Sequence, residues 1–200
     1  MEPDAAEIRV LGCLIEKQRT TPDAYPLTLN SLRLACNQST NRDPVVDYDE
    51  GTIRDALERL GRRGWTRLAT WSNRRTVKYR HLFDEALGLS GAETALLCVL
   101  MLRGPQTPSE LKQRSDRLHS FAGPGDVETT LEALRERELV ASLPRRPGER
   151  GQRYAHRLGA EEPAAEDPIA PAPCDGLEER VARLEAELAE LRGQVQELRR

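Results

Sequence analysis

Four cysteines and three histidines are the residues best suited to metal binding or nucleophilic catalysis in this 200-residue chain. The cysteines are Cys13, Cys36, Cys98 and Cys174, and no two of them have the C-x-x-C spacing of a zinc ribbon or a thioredoxin-like site. Three of them lie in or beside apolar helical patterns, which predicts buried free thiols. Phosphate-loop, dinucleotide, zinc-protease and serine-hydrolase motifs are absent from the sequence. We therefore predict a protein that is not an enzyme and has no metal or other cofactor.

Arginine is the residue type whose distribution points most directly to a function. The formal net charge is −3, yet residues 54–80 hold nine basic and two acidic side chains. Residues 144–158 hold five arginines and one glutamate, whereas residues 1–53 and 159–200 are net acidic. Arginines on a hairpin can contact a nucleic-acid backbone without a base-specific fit. The candidate nucleic-acid-binding residues are Arg54, Arg62, Arg63, Arg67, Arg74, Arg75, Lys78 and Arg80.

Two aromatic residues, Trp71 and Tyr79, are interleaved with these arginines. They could stack or pack against a sugar of the nucleic acid. The alternative is that Trp65, Trp71 and Tyr79 fill the small core beneath the hairpin. Both interpretations remain open at the level of the sequence.

The elements that position the arginines follow a recognisable order. Apolar residues at helical spacing predict helices over Glu7–Glu16, from about Thr28 to Cys36, and over about Glu50–Arg63, with Gly64 ending the third. The runs TRLATW and TVKYRHL then predict the two strands of a hairpin. Three helices followed by a hairpin is the order of a winged helix.

The same order returns in the second half of the chain. A helix over Glu93–Arg103 is followed by a helix start capped by Thr107 or Ser109, and the hairpin is LVASL with QRYAHRL. Val127, Leu131 and Leu134 repeat the apolar positions of Ile53, Leu57 and Leu60, while His81 and His156 end equivalent strands. We predict a mainly α fold with small β-hairpins (α+β), built from winged-helix domains at residues 1–89 and 90–158. The equivalence of His81 and His156 favours a structural role for both.

The C-terminal part has a different composition. Residues 159–176 are rich in Pro, Ala and Glu, which predicts a flexible linker. Residues 177–200 carry an apolar heptad seam that predicts a coiled-coil helix and a homodimer. A parallel pairing is favoured by the Leu and β-branched positions, but an antiparallel pairing and a fold back onto the same chain stay open. The predicted dimerisation residues are Leu177, Val181, Leu184, Leu188, Leu191, Val195 and Leu198.

A polar loop separates the second and third predicted helices. Its candidate binding residues are Asn37, Gln38, Asn41 and Arg42, which could contact a phosphate or a partner peptide. The alternative is a turn in which Asn and Asp side chains cap neighbouring backbone groups.

The third helix of each half argues against a simple DNA-reading mode, because it carries many carboxylates. Such a helix enters the major groove in DNA-binding winged helices, and carboxylates repel phosphate. We therefore expect the helix of the second half to serve protein contact or internal packing, and the first hairpin to carry most of any DNA binding. The acidic residues are Asp49, Glu50, Asp55 and Glu58 in the first half, beside Arg54, Arg59 and Arg62, and Asp126, Glu128, Glu132 and Glu136 in the second.

Several long runs of the sequence resemble the YceH-like family of bacterial proteins. The most specific are ACNQSTNRDPV and LLCVLMLRGPQTPSEL, and the resemblance covers roughly Glu7 to Leu158. It implies a tandem winged-helix fold and a family of uncharacterised role, and it supplies no catalytic residues.

Two functions follow as hypotheses from these patterns. The first is double-stranded DNA binding, as in a transcriptional regulator, by a homodimer joined through its C-terminal helix. The second is a protein-interaction scaffold that binds no nucleic acid, because winged helices also serve as such modules. The N-terminal residues do not resemble a signal peptide, and the longest apolar run, Ala95–Leu102, is too short to span a bilayer. We therefore expect a cytoplasmic protein that does not enter the membrane.

Overall fold

A computed structural model describes residues 2–69, 77–144 and 151–159, and these form seven α-helices and five short strands. The architecture is mixed α+β, as predicted. The first half contains α1 (Ala5–Thr20), a 3₁₀ turn (Pro22–Ala24), β1 (Leu27–Thr28), α2 (Leu29–Cys36), α3 (Glu50–Arg62), β2 (Thr66–Ala69) and β3 (Lys78–His81). The second half contains α4 (Phe83–Leu87), α5 (Gly91–Arg103), α6 (Pro108–Ser115), α7 (Pro124–Glu136), β4 (Val140–Leu143) and β5 (Arg153–His156).

Side-chain caps fix where most of these helices begin. A reciprocal pair, Asp4 with Glu7, caps α1 and starts that helix two residues before the predicted position. Thr107 rather than Ser109 caps α6, again in a reciprocal pair with the glutamate three residues later. Gly64 adopts a φ of +74° just after α3, which confirms its predicted role in ending that helix.

Antiparallel hairpins follow α3 and α7, as predicted. In the first half the strand order is β1-β3-β2, and β1 pairs Leu27 with Tyr79. In the second half β4 pairs with β5, and an isolated bridge joins Gln106 to Tyr154. β1 lies directly before α2, which Thr28 caps, and Gln106 lies directly before α6, which Thr107 caps. Gln106 therefore occupies the position in the second half that β1 occupies in the first. The internal repeat therefore includes an element that the sequence patterns did not predict.

The two halves share one apolar core. The largest contact between elements of this core is that of α1 with α5, which both contribute buried aliphatic side chains. Gly12 lies at a close contact between these helices, because a Cβ built there would be 2.9 Å from Cδ2 of Leu102. The boundary predicted near residue 89 falls within this compact part of the chain, and the division into domains stays a prediction.

Replacing Gly12 with Val is expected to destabilise the protein by about 1–3 kcal/mol, since the added carbons overpack the α1–α5 contact. Gly61→Val in α3 is the matched control, because the nearest atom to a Cβ there is 3.9 Å away. Both changes replace a helical glycine with valine, so their helix-propensity terms are alike. Urea unfolding of both variants measures the difference, and equal stabilities would contradict close packing at Gly12.

The three described cysteines, Cys13, Cys36 and Cys98, are buried free thiols, as predicted. No helix in the described ranges is long and apolar enough to cross a membrane. Several predictions concern residues outside those ranges: Cys174, Trp71, Arg74 and Arg75, the linker, and the seven residues of the predicted coiled coil.

Candidate nucleic-acid interface

Three basic side chains lie on the outer face of the three-stranded sheet. Arg67 on β2 is paired with Arg80 on β3, and Lys78 lies two residues before Arg80. Directly opposed residues of antiparallel strands point to the same face, and so do residues two apart on one strand. Arg67, Lys78 and Arg80 therefore form one surface, which we call the basic face.

The other face of this sheet packs against the core. Leu27, Thr66 and His81 are buried there. The Tyr25 hydroxyl accepts a hydrogen bond of 2.8 Å from the His81 amide, and Gln18 Oε1 lies 2.7 Å from His81 Nε2. The buried face holds the strands in place, so the basic face is presented on a fixed frame.

The basic face has little internal neutralisation. Arg67 is exposed, and neither it nor Lys78 forms an ion pair with any residue of the described ranges. Arg80 lies 3.8 Å from Glu85, and both of these side chains are substantially exposed. Such a surface pair contributes little in water. Like charges directly across two strands destabilise a sheet, so a nearby anion would relieve the repulsion between Arg67 and Arg80.

Other predicted arginines are engaged within the chain. Arg63 contacts Glu7 at 3.3 Å, and its guanidinium lies 5.7 Å from the centre of the Trp65 ring. Arg62 pairs with Glu58 one turn earlier at 3.1 Å. Arg54 is exposed on α3 and belongs to neither group. The structure therefore divides those predicted basic residues that it describes into the basic face, a set paired with carboxylates, and Arg54.

The aromatic residues next to the arginines contribute mainly to packing where they are described. Trp65 meets Phe83 edge-to-face, with ring centres 5.1 Å apart. Tyr79 is partly buried against the core on the inner side of the sheet. Both positions agree with the core-filling alternative for these two rings.

The polar loop is organised from inside by buried arginines. The Arg42 side chain is fully buried and contacts Glu16, with Nη2 to Oε2 at 2.6 Å. It also donates to the backbone carbonyls of Ala35 and Asn41 and to the side chain of Gln38. Arg9, likewise buried, donates to the carbonyls of Cys36 and Pro44. This network occupies the guanidinium groups and fixes the course of the loop.

The remaining loop candidates also have partners within the chain. The Asn37 amide donates to the Tyr48 carbonyl at 2.8 Å and accepts from the Tyr48 amide at 2.9 Å. Asn41 accepts a hydrogen bond from Arg103 on α5. These contacts join residues distant in the sequence and do not cap neighbouring backbone groups, so the choice between a binding loop and a local turn stays a prediction.

The histidines and cysteines of the described residues were the candidates for metal binding. In the described ranges, no group of three or more His, Cys, Asp or Glu side chains is arranged to hold a metal ion. Burial lowers the pKa of His81 to about 4, although nearby Asp84 acts in the opposite direction, and burial likewise lowers the pKa of His156 to about 4. Both histidines are therefore neutral at pH 7 and lie at the ends of equivalent strands.

Comparison with known proteins finds relatives along nearly the whole chain. A family model described as "Protein of unknown function, DUF480" matches residues 4–149. A UPF0502 protein of Shewanella sp. (strain MR-4) is 44% identical, over 99% of this chain and 98% of its own. A UPF0502 protein of Koribacter versatilis (strain Ellin345) is 47% identical, over 96% of this chain and 90% of its own. A UPF0502 protein of Pelobacter propionicus is 47% identical, over 97% of this chain and 92% of its own.

Proposed function

This chain belongs to the DUF480 family of proteins of unknown function, and since that description supplies no activity, we propose from the site alone that it binds double-stranded DNA. Binding takes place through the backbone phosphates, which the basic face contacts. The protein acts as a binding protein rather than an enzyme, in the manner of a transcriptional regulator.

The observation that carries the proposal is the direct opposition of Arg67 and Arg80, with Lys78 beside them. Three cations on one fixed surface create a local positive field in a protein whose net charge is negative. A nucleic-acid backbone supplies phosphates at regular spacing, and it relieves the repulsion between the two arginines. Arg is suited to this contact because its planar fork can bind phosphate through two hydrogen bonds.

The order of elements supports a winged-helix frame in each half. β1 pairs with β3 and β2 pairs with β3, so the hairpin and the short strand before α2 form one small sheet. In such a frame the hairpin is the wing, and the basic face is the surface of the wing. The second half repeats the frame with a shorter sheet.

Fluorescence anisotropy with random-sequence duplex DNA at several salt concentrations tests this function. We expect binding at low salt, and the logarithm of the association constant should fall linearly with the logarithm of the salt concentration. The double variant Arg67→Gln/Lys78→Gln removes two contacts to DNA phosphates, so the slope of this salt dependence becomes shallower by about 2. Arg19→Gln/Arg117→Gln is the matched control, because it removes two exposed charges outside the sheet.

Two results would contradict the proposal. One is the absence of wild-type binding at low salt, which would leave the protein-interaction scaffold as the remaining hypothesis. The other is an equal change of slope in the two double variants, because that would make net charge, and not the basic face, responsible for binding.

A further inference from the structure

The charged residues of α3 are not equally available to a partner. The Asp49 carboxylate caps the helix and accepts from the Thr52 amide at 2.7 Å. Arg59 is turned towards α1, where it contacts Asp4 at 2.6 Å and Glu7 at 3.1 Å. Asp49 and Arg59 are therefore engaged within the chain, whereas the carboxylates of Glu50 and Asp55 are exposed.

Two further charges on the helix neutralise each other. Glu58 pairs with Arg62 at 3.1 Å across one helical turn. Arg54, in contrast, is exposed and forms no hydrogen bond or ion pair with any residue of the described ranges. This holds although Glu50 and Glu58 lie four residues before and after it, at the spacing that favours helical ion pairs. Arg54 is thus the unengaged cation of the solvent-facing side of α3.

The internal repeat provides a contrast at this position. The apolar residues of α3 and α7 correspond at a constant offset of 74 residues, as Ile53 with Val127 and Leu57 with Leu131 show. The same offset places Glu128 at the position of Arg54, and both side chains are exposed. Two equivalent helices therefore present opposite charges at one position of a common frame.

We propose that Arg54 is the specificity-determining residue of the DNA contact, and that it reads a guanine in the major groove. This inference rests on the proposed function, because the basic face must first hold the backbone. An arginine donates two parallel hydrogen bonds to O6 and N7 of guanine, which is the commonest specific contact of this kind. Glu50, one turn earlier, supplies an acceptor for the N4 amino group of the paired cytosine.

The same reasoning excludes α7 from reading guanine. Glu128 at the equivalent position has no donor for O6 or N7 and repels the neighbouring phosphates. The first half of the chain therefore determines which site is bound, and the second half leaves that choice unchanged.

Selection from a randomised duplex library with the full chain tests Arg54. We expect the wild type to enrich a site with at least one strongly preferred guanine. Arg54→Ala loses the preference at one position, and its affinity for the selected site falls roughly 5- to 150-fold. Its affinity for random DNA changes by less than about fivefold, because a single exposed charge is lost. Glu128→Ala, the matched control, selects the same site as the wild type.

The outcomes separate this inference from the function on which it rests. Selection of an unchanged site by Arg54→Ala would overturn the role of Arg54. A wild type that binds random duplex but enriches no guanine would overturn it too, while leaving backbone binding intact. A wild type that binds no duplex at low salt would overturn both.

Discussion

Arg42→Met is expected to lower the free energy of unfolding by about 3–5 kcal/mol, the cost of breaking one side of a buried ion pair. The Arg42 side chain is fully buried and makes five hydrogen bonds, two of them to Glu16. Burial alone would lower the pKa of Arg42, but its bond to Glu16 reverses this effect and raises the pKa above its ordinary value. The substitution leaves Glu16, which is 16% exposed, with only the ammonium of the adjacent Lys17, 3.8 Å away, as a counter-charge.

A double-mutant cycle with Glu16→Met distinguishes the ion pair from general packing. Removing both charges also removes the unpaired carboxylate, so Arg42→Met/Glu16→Met should lose less than the sum of the single changes. Arg42→Lys should recover only part of the loss, because one ammonium group cannot replace a planar fork with five hydrogen bonds. Urea unfolding of each variant gives the free energies.

Arg62→Met is the control, since the exposed Arg62–Glu58 pair is worth only about 0–1 kcal/mol. Equal effects of Arg42→Met and Arg62→Met would contradict a structural role for the buried network. Loss of stability at Arg42 with strictly additive effects at Glu16 would show that the carbonyl contacts, and not the ion pair, hold the loop.

The helices and hairpins of this fold could be predicted because their signals are local. Apolar spacing gave α1, α2, α3 and α5, and alternation gave the two hairpins. β1 was missed because it has two residues, Leu27 and Thr28, and exists only through pairing with β3 some fifty residues later. α4 was missed because five residues, Phe83–Leu87, are too short to show a helical period.

The candidate site was predictable in part for the same reason. Alternation along β2 and β3 is enough to place Arg67, Lys78 and Arg80 on one face once the hairpin register is known. The pairing of Arg59 and Arg63 with Glu7 spans more than fifty residues, so no local pattern reveals it. A count of charges along the sequence therefore overestimates the positive surface: among the candidate basic residues that the structure describes, Arg62 and Arg63 are paired with carboxylates, which leaves the basic face and Arg54.

Acid is expected to destabilise the protein through His81 and His156 as the pH falls from about 6.5 towards 4. Burial lowers the pKa of His81, and of His156, to about 4, whereas an unfolded histidine titrates near 6.5. Between these values the unfolded chain binds protons that the folded chain does not bind, so stability decreases as the pH falls. A pKa difference of this size lowers the free energy of unfolding by about 3 kcal/mol for each histidine once the pH is below both pKa values.

Urea unfolding at pH 7.5, 5.5 and 4.5 measures this dependence for the wild type and His81→Gln. Glutamine does not titrate, and it can still donate a hydrogen bond to Gln18 Oε1, which accepts from His81 Nε2 in the neutral ring. The variant should therefore lose about 2–3 kcal/mol less than the wild type between pH 7.5 and pH 4.5. His156→Gln should reduce the acid-induced loss of stability by a similar amount. The effects of the two substitutions should add, because His81 and His156 end strands of separate sheets. Parallel pH curves for the wild type and both variants would mean that these histidines bind protons as readily in the folded protein as in the unfolded chain, which would contradict their burial as neutral rings.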